Sequence, residues 1–332
     1  MQLARLLRPA AAVVVAVAAS LALAGDTAVK VKGVGAASIR WNTVGYRAEL
    51  MAQLAPGLTW RLGANGATRM EIEKMGLSAP GGLLLPGEMT LNLRYWSDTR
   101  WELVVFEEND WKWSEDKTEF GRFEADVVQR KEAKDATDQL ELELYQVARA
   151  KLEPLPRPAV TGDAGVEDYS PPWDMSEAAA KERDAFPLVV LDMKFGPHIG
   201  RCVFEPVRLE KHKAKLTIGE TEYAAELHGA EFTDVLSRTE KAEHEESLQI
   251  GLLRLAAKGE EPRELVLEAH GGEDVVLWPI DRKEGEELEP LFGERVDTKA
   301  KAKRVTHELD GSTLVVHLAG LDYRFDLSAL EL

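Results

Sequence analysis

Five of the eight tryptophans fall between Trp60 and Trp113, around the run Trp60-Arg61-Leu62-Gly63-Ala64-Asn65-Gly66-Ala67-Thr68. An indole is a large apolar plate with one N–H that wants an acceptor. Tryptophans on alternating strands therefore build either an aromatic core or a flat binding surface. Trp96, Trp101, Trp111 and Trp113 are the candidates for stacking on a sugar ring, and Trp111 and Trp113 share one strand face by their spacing of two. The plainer alternative is core, because burying such a side chain stabilises a fold by roughly 2 to 3 kcal/mol. Within the run, Arg61 and Asn65 are the polar candidates for holding a ligand. The same residues also suit a turn at a sandwich corner. Asn65-Gly66 favours positive φ, Gly63 allows a close backbone approach, and Trp60 plugs the sheet while Arg61 points the other way.

Other chemistries have less to stand on. All seven histidines follow residue 197, so the first half has no imidazole for a triad, a proton shuttle or a metal site. His198 and Cys202 stand four apart, but zinc needs three or four ligands at recognisable spacing, and the chain has neither CxxC nor HExxH. No metal site and no cofactor are expected. His270-Gly271-Gly272 has the form of a hydrolase oxyanion loop, yet there is no G-x-S-x-G nucleophile elbow, so it reads as a hairpin turn. Gly33-Val34-Gly35 lacks the Lys-Ser/Thr continuation of a phosphate loop and reads as part of a flexible mature N-terminus, residues 25–38. A pair of carboxylates could hydrolyse a glycan, but 58 acidic residues single out no pair.

Residues 1–24 have the form of a secretory signal: Arg5 and Arg8, an apolar run from Ala10 to Leu23, and a small-x-small site at Ala22-Leu23-Ala24. The run is too short and Ala-rich for a permanent span, and no Cys stands near the cleavage site for acylation, so no stable membrane span is expected after cleavage. Loss of the signal leaves 39 basic against 58 acidic residues. That balance disfavours nucleic acid and anionic membrane as partners. Cys202 is the sole cysteine, so no intrachain disulfide supports the fold, and a 45% apolar composition must do so instead.

The elements that would carry these residues are strands. Trp101, Leu103 and Val105 alternate with Glu102 and Val104, and Leu140, Leu142 and Leu144 alternate with Glu141 and Glu143. Pro56-Gly57, Asn65-Gly66, Pro80-Gly81-Gly82 and Pro86-Gly87 punctuate them. The pattern predicts a mainly β protein: an antiparallel β-sandwich or barrel-like domain over 39–152, a Pro-rich linker over 153–174, and a second β-rich domain with a few short helices over 175–332. In the second domain, strands are expected at 188–193, 202–209, 215–218, 223–227, 248–255, 264–269, 275–280, 313–318 and 323–327, after a short helix at 176–183. The charged stretches 238–246 and 282–303 read as solvated loop or helix.

The Trp60 run, preceded by Gln53 to Thr59 and followed by Leu84-Leu85-Pro86-Gly87-Glu88-Met89-Thr90-Leu91 and Trp101-Glu102-Leu103-Val104-Val105-Phe106, resembles the DUF2911 family of exported bacterial proteins. That family carries Trp-Arg-x-Gly-Ala-Asn-Glu-Ala-Thr, then Pro-Ala-Gly-x-Tyr-x-Leu, then Trp-x-Val-Ile-Phe. Here Gly66 replaces the acid and Met89 the tyrosine. The resemblance covers residues 39–147 and implies an exported β-rich domain without any catalytic assignment, since the family has no known function. The leading expectation is a non-enzymatic binding or structural module of the periplasm or cell envelope, with a glycan or another envelope protein as partner. The competing one is an extracytoplasmic, carboxylate-dependent glycan hydrolase.

Overall fold

A computed structural model describes residues 24–51, 55–63, 67–79, 82–97, 100–106, 119–129, 137–153, 155, 187–231, 247–260, 262–270, 274–279, 290–298, 305–318 and 321–330. The chain is mainly β and antiparallel throughout. Its first strands are β1 (Ala24–Val31), β2 (Gly35–Asn42), β3 (Leu58–Arg61), β4 (Thr68–Glu73), β5 (Met75–Ala79), β6 (Gly82–Leu84), β7 (Gly87–Ser97), β8 (Arg100–Phe106), β9 (Glu119–Gln129) and β10 (Thr137–Ala148), with one helical turn, α1 (Ala48–Met51). After the proline-rich segment come β11 (Pro187–Gly196) and the 21-residue β12 (His198–Ile218).

Hydrogen bonding runs from β1 to β2, β4, β7, β8, β9, β12, β11 and β10, with β3 joined to the same edge of β7 as β4. The sheet curls until β10 returns beside β1 and β2. Leu144 N–H donates to Thr27 Oγ1 at 3.2 Å, Trp41 Nε1 donates to Leu140 O at 3.3 Å, and Leu140 N–H donates to Val44 O at 2.9 Å. Alternation fills the inside with Val31, Ile39, Met70, Leu91, Leu103, Phe123, Leu142, Leu191, Cys202 and Phe204, all buried.

The other half of β12 begins a second arrangement. It pairs with β5 at Glu205–Arg208 and with β13 (Thr221–Glu231) from Arg208 to Ile218. The ladder continues through β14 (Ser247–Ala257), β15 (Arg263–His270), β16 (Asp274–Pro279) and β17 (Leu291–Phe292). A four-stranded sheet follows, made from β18 (Glu294–Asp297), β19 (Thr306–Asp310), β20 (Thr313–Leu318) and β21 (Leu321–Asp326) in the order β18-β21-β20-β19. Its Leu314, Val316, Tyr323 and Phe325 share a second core with Leu227, Leu253, Leu265 and Leu277.

Three expectations are corrected. Residues 25–38 are not a flexible terminus but most of a β1–β2 hairpin, because Val29, Val31, Ala37 and Ile39 alternate into the first core and Val34 N–H closes the turn on Val31 O at 3.1 Å. The two cores also do not divide at the 153–174 linker. Val189, Leu191, Met193, Phe195, Cys202 and Phe204 complete the first core, while Leu83 and Leu85 belong to the second, so the division falls within β12. Part of the charged stretch 282–303 forms β17 and β18. The helix expected at 176–183 lies outside the described residues, as does nearly all of the linker. Among the described residues no helix is long and apolar enough to cross a membrane.

Candidate functional site

Trp60 and Arg61 end β3, where Trp60 faces Leu93 of β7 across the ladder and Leu93 in turn faces Leu103 of β8. The chain then turns back through Leu62 and Gly63, whose φ of +107° and closeness to the Asn42 carbonyl leave no place for a side chain: a Cβ would lie 2.7 Å from that oxygen. Thr68, wholly buried, ties the turn by donating its hydroxyl to Leu62 O. From the far side of the sheet, β11 brings Met193 and Phe195, and β10 brings Leu140. Together with Val44 and Trp101 these side chains enclose a hollow of about 250 Å³, measured with its open mouth. That figure includes open solvent, and the whole hollow has room for only about one water-sized group.

The walls are aromatic and close-packed. Trp60 and Phe195 rings lie 5.3 Å apart, Phe195 meets Tyr46 edge-on at 5.2 Å, and Trp101 lies 5.6 Å from the His198 ring. Gly200 makes room for Trp101, since a Cβ there would stand 3.0 Å from the indole. The surface that faces the hollow is almost wholly apolar, and the indole N–H groups of Trp60 and Trp101 are buried without a hydrogen-bond partner. The side chains lining the hollow, among the described residues, include no carboxylate.

Of the residues singled out from sequence, the structure brings Arg61 and Trp101 to one cavity. Trp101 is 1% exposed, so it cannot be a stacking platform on the surface. Trp60 is half-buried and Arg61 exposed, and both residues border the hollow at the strand end. Trp96 is 37% exposed, but the chain itself attends to its ring: the Arg100 guanidinium sits 5.6 Å over it and Gly57 approaches its edge. Asn65, Trp111 and Trp113 lie outside the described residues. Phe195, Met193 and Leu140 were not singled out as site residues. Their signal, plain alternation, marks core and not cavity.

The histidines and acids sort into structural clusters. Alternate positions on β12 put His198 and Cys202 on one side, but four strand residues span about 13 Å, too far to share an ion. Among the described residues no group of three or more His, Cys, Asp or Glu could hold a metal. Asp192 of β11, 6% exposed, takes two 2.7 Å hydrogen bonds from Arg201 of β12 and one of 3.2 Å from the Tyr145 hydroxyl of β10. Burial, followed by the Asp192 charge, pushes the Tyr145 phenol up to about 12. At the seat of the second sheet, Glu210 Oε2 accepts the His307 backbone N–H at 3.0 Å and lies 3.6 Å from His307 Nδ1 and 3.7 Å from His212 Nε2. Burial drives the His307 imidazole below its ordinary range, against the pull of Glu210.

Compared with protein-family models, with curated proteins and with solved structures, the chain matches none.

Proposed function

We propose that this protein is an exported, non-enzymatic binding module whose ligand site is the hollow between Trp60, Arg61, Trp101 and Phe195. The observation that carries the reading is convergence: residues of β3, β8, β10 and β11 leave a space in a close-packed core, walled by aromatic and aliphatic groups. Concave, largely apolar walls with a few placed polar groups suit binding. Glycan hydrolysis needs two carboxylates flanking one cleft, and this wall does not offer them. Export rests on the signal-like residues 1–24, and kinship with DUF2911 proteins on the Trp60 to Phe106 motifs. Cleavage after Ala24 would leave Gly25 at the head of β1 with the rest of that strand intact.

Two measurements test this. Sequencing the N-terminus of protein recovered from the periplasm of an expressing cell is expected to read Gly25-Asp26-Thr27. Thermal shift against a panel of small amphipathic molecules is expected to raise the Tm of the mature protein, and Arg61→Trp, which caps the mouth from an exposed position, is expected to abolish that rise. A panel that leaves the wild type unmoved, or shifts Arg61→Trp equally, rejects the hollow as a binding site.

A further inference from the structure

The edge strand of the C-terminal sheet is seated through one imidazole. Among the described residues β19 pairs with β20 alone, and it rests on β12 and β13. Val305, His307 and Leu309 alternate toward the second core, and the His307 side chain is wholly out of solvent. Its ring lies against Gly229 of β13, where a Cβ would overlap it. Glu210 of β12 offers a single oxygen, Oε2, to three groups. It accepts the His307 backbone N–H at 3.0 Å and stands 3.6 Å from His307 Nδ1 and 3.7 Å from His212 Nε2. Neither ring nitrogen of His307 completes a hydrogen bond. A neutral imidazole carries one N–H, whereas an imidazolium carries two. Glu210 could serve one of them, but Nε2 would become a buried, charged donor with no acceptor, which is costly. The charges of His212 and, from β20, His317 also oppose a second cation there. Arg208 and Glu231, paired across the ladder, are the next charged residues on the face of Glu210 and Gly229. His317, on the other face of the small sheet, sits 2.7 Å from Asp322 of β21 and 3.5 Å from Glu308 of β19. We propose that His307 is an acid-released latch: β19 stays seated while the ring is neutral, and proton uptake by the ring frees β19 from β12, β13 and β20, baring the pairing edge of β20. The latch is independent of the hollow beside Trp60.

Amide hydrogen exchange of residues 25–332, corrected for the intrinsic rate at each pH, tests this. A strand that peels away by itself opens at lower free energy than the core strands and exposes little surface. The amides of β19 are therefore expected to be less protected than those of β14 and β15, and to be nearly indifferent to urea below the unfolding transition. Burial holds the seated imidazole below its ordinary value of 6.5, so the freed strand takes up the proton first. Protection of β19 is expected to fall about tenfold from pH 7.5 to pH 5.5. The direction separates His307 from His317, because a charged His317 would pair with Glu308 and hold β19 more firmly in acid. His307→Gln, which cannot titrate, is expected to abolish the fall, and His212→Gln, a half-exposed substitution, to retain it. Protection in β19 that equals that of β14 and β15 and shares their urea dependence would overturn the latch, as would protection that is unchanged or greater at pH 5.5. A fall that survives His307→Gln, or is abolished by His212→Gln, would overturn it too. Should His307→Gln fail to fold, the wild-type profile and His212→Gln decide between them.

Discussion

Arg201 holds Asp192 through two parallel hydrogen bonds of 2.7 Å, and a third donor of the same guanidinium reaches Glu153 O at 2.7 Å. Removing one partner of such a pair strands the other charge away from water. Arg201→Met is therefore expected to lower unfolding free energy by about 3 to 5 kcal/mol, read from urea denaturation. A loss below 1 kcal/mol would show that the pair is solvated and contributes only as a surface ion pair does. Protons act at the same scale. His307 and His228 are both held below the ordinary imidazole value of 6.5, chiefly by burial, so the unfolded chain takes up protons first as pH falls. Their contribution is complete above about pH 6.5 and diminishes as pH drops toward the folded values. Glu226 works lower on the scale: burial pushes it up, but hydrogen bonds from Lys211, Lys213 and His228 outweigh that and hold it at about 2. Its contribution is present above 4.5, the ordinary carboxyl value, and disappears between there and about 2. The urea midpoint is expected to be lower at pH 5.5 than at pH 7.5, and His307→Leu to flatten part of that slope. An unaltered slope would remove His307 from the account.

The β1–β2 hairpin and β12 are the elements whose importance sequence understated. Ile39 is fully buried where β2 meets β4, facing Met70 across the ladder. Ile39→Ala is expected to cost about 2 to 5 kcal/mol in urea denaturation, as buried aliphatic truncations do. A truly flexible terminus would give almost nothing. β12 was divided by sequence into 202–209 and 215–218 because Glu210-Lys211-His212-Lys213 interrupts the apolar alternation. It is continuous because β13 supplies partners: Glu226 pairs with both Lys211 and Lys213, and the ladder runs unbroken from Arg208 to Ile218. Charges on a strand break a pattern of hydropathy without breaking the hydrogen bonds. By contrast, β8, β14, β15, β20 and β21 were legible nearly to their ends, since each keeps its alternation along its own length.

Over the whole molecule, the first core is completed only by residues beyond the proline-rich segment. A fragment of residues 25–152 lacks β11 and β12, and with them Val189, Leu191, Met193, Phe195, Cys202 and Phe204. It is expected to show no cooperative thermal transition by circular dichroism, whereas residues 25–332 together are expected to melt cooperatively. A cooperative melt of the fragment would restore the domain boundary at the linker. The hollow depends on the same closure, since Met193 and Phe195 form its far wall. Part of the site was in view from sequence: Arg61 and Trp101 were singled out for polarity and aromatic area, but nothing local set them on one cavity. The sequence by itself determined the class of fold and the inward faces of most strands, because a period of two and Gly or Pro turns act over a few residues. Only the tertiary structure decided that β10 returns beside β1, that β12 belongs to both cores, and that Trp60 and Trp101 are left with unmatched donors. Those features depend on which edges pair across about 40 to 130 residues of chain, and such pairing is governed by the burial of the assembled sheet, a quantity no single segment carries.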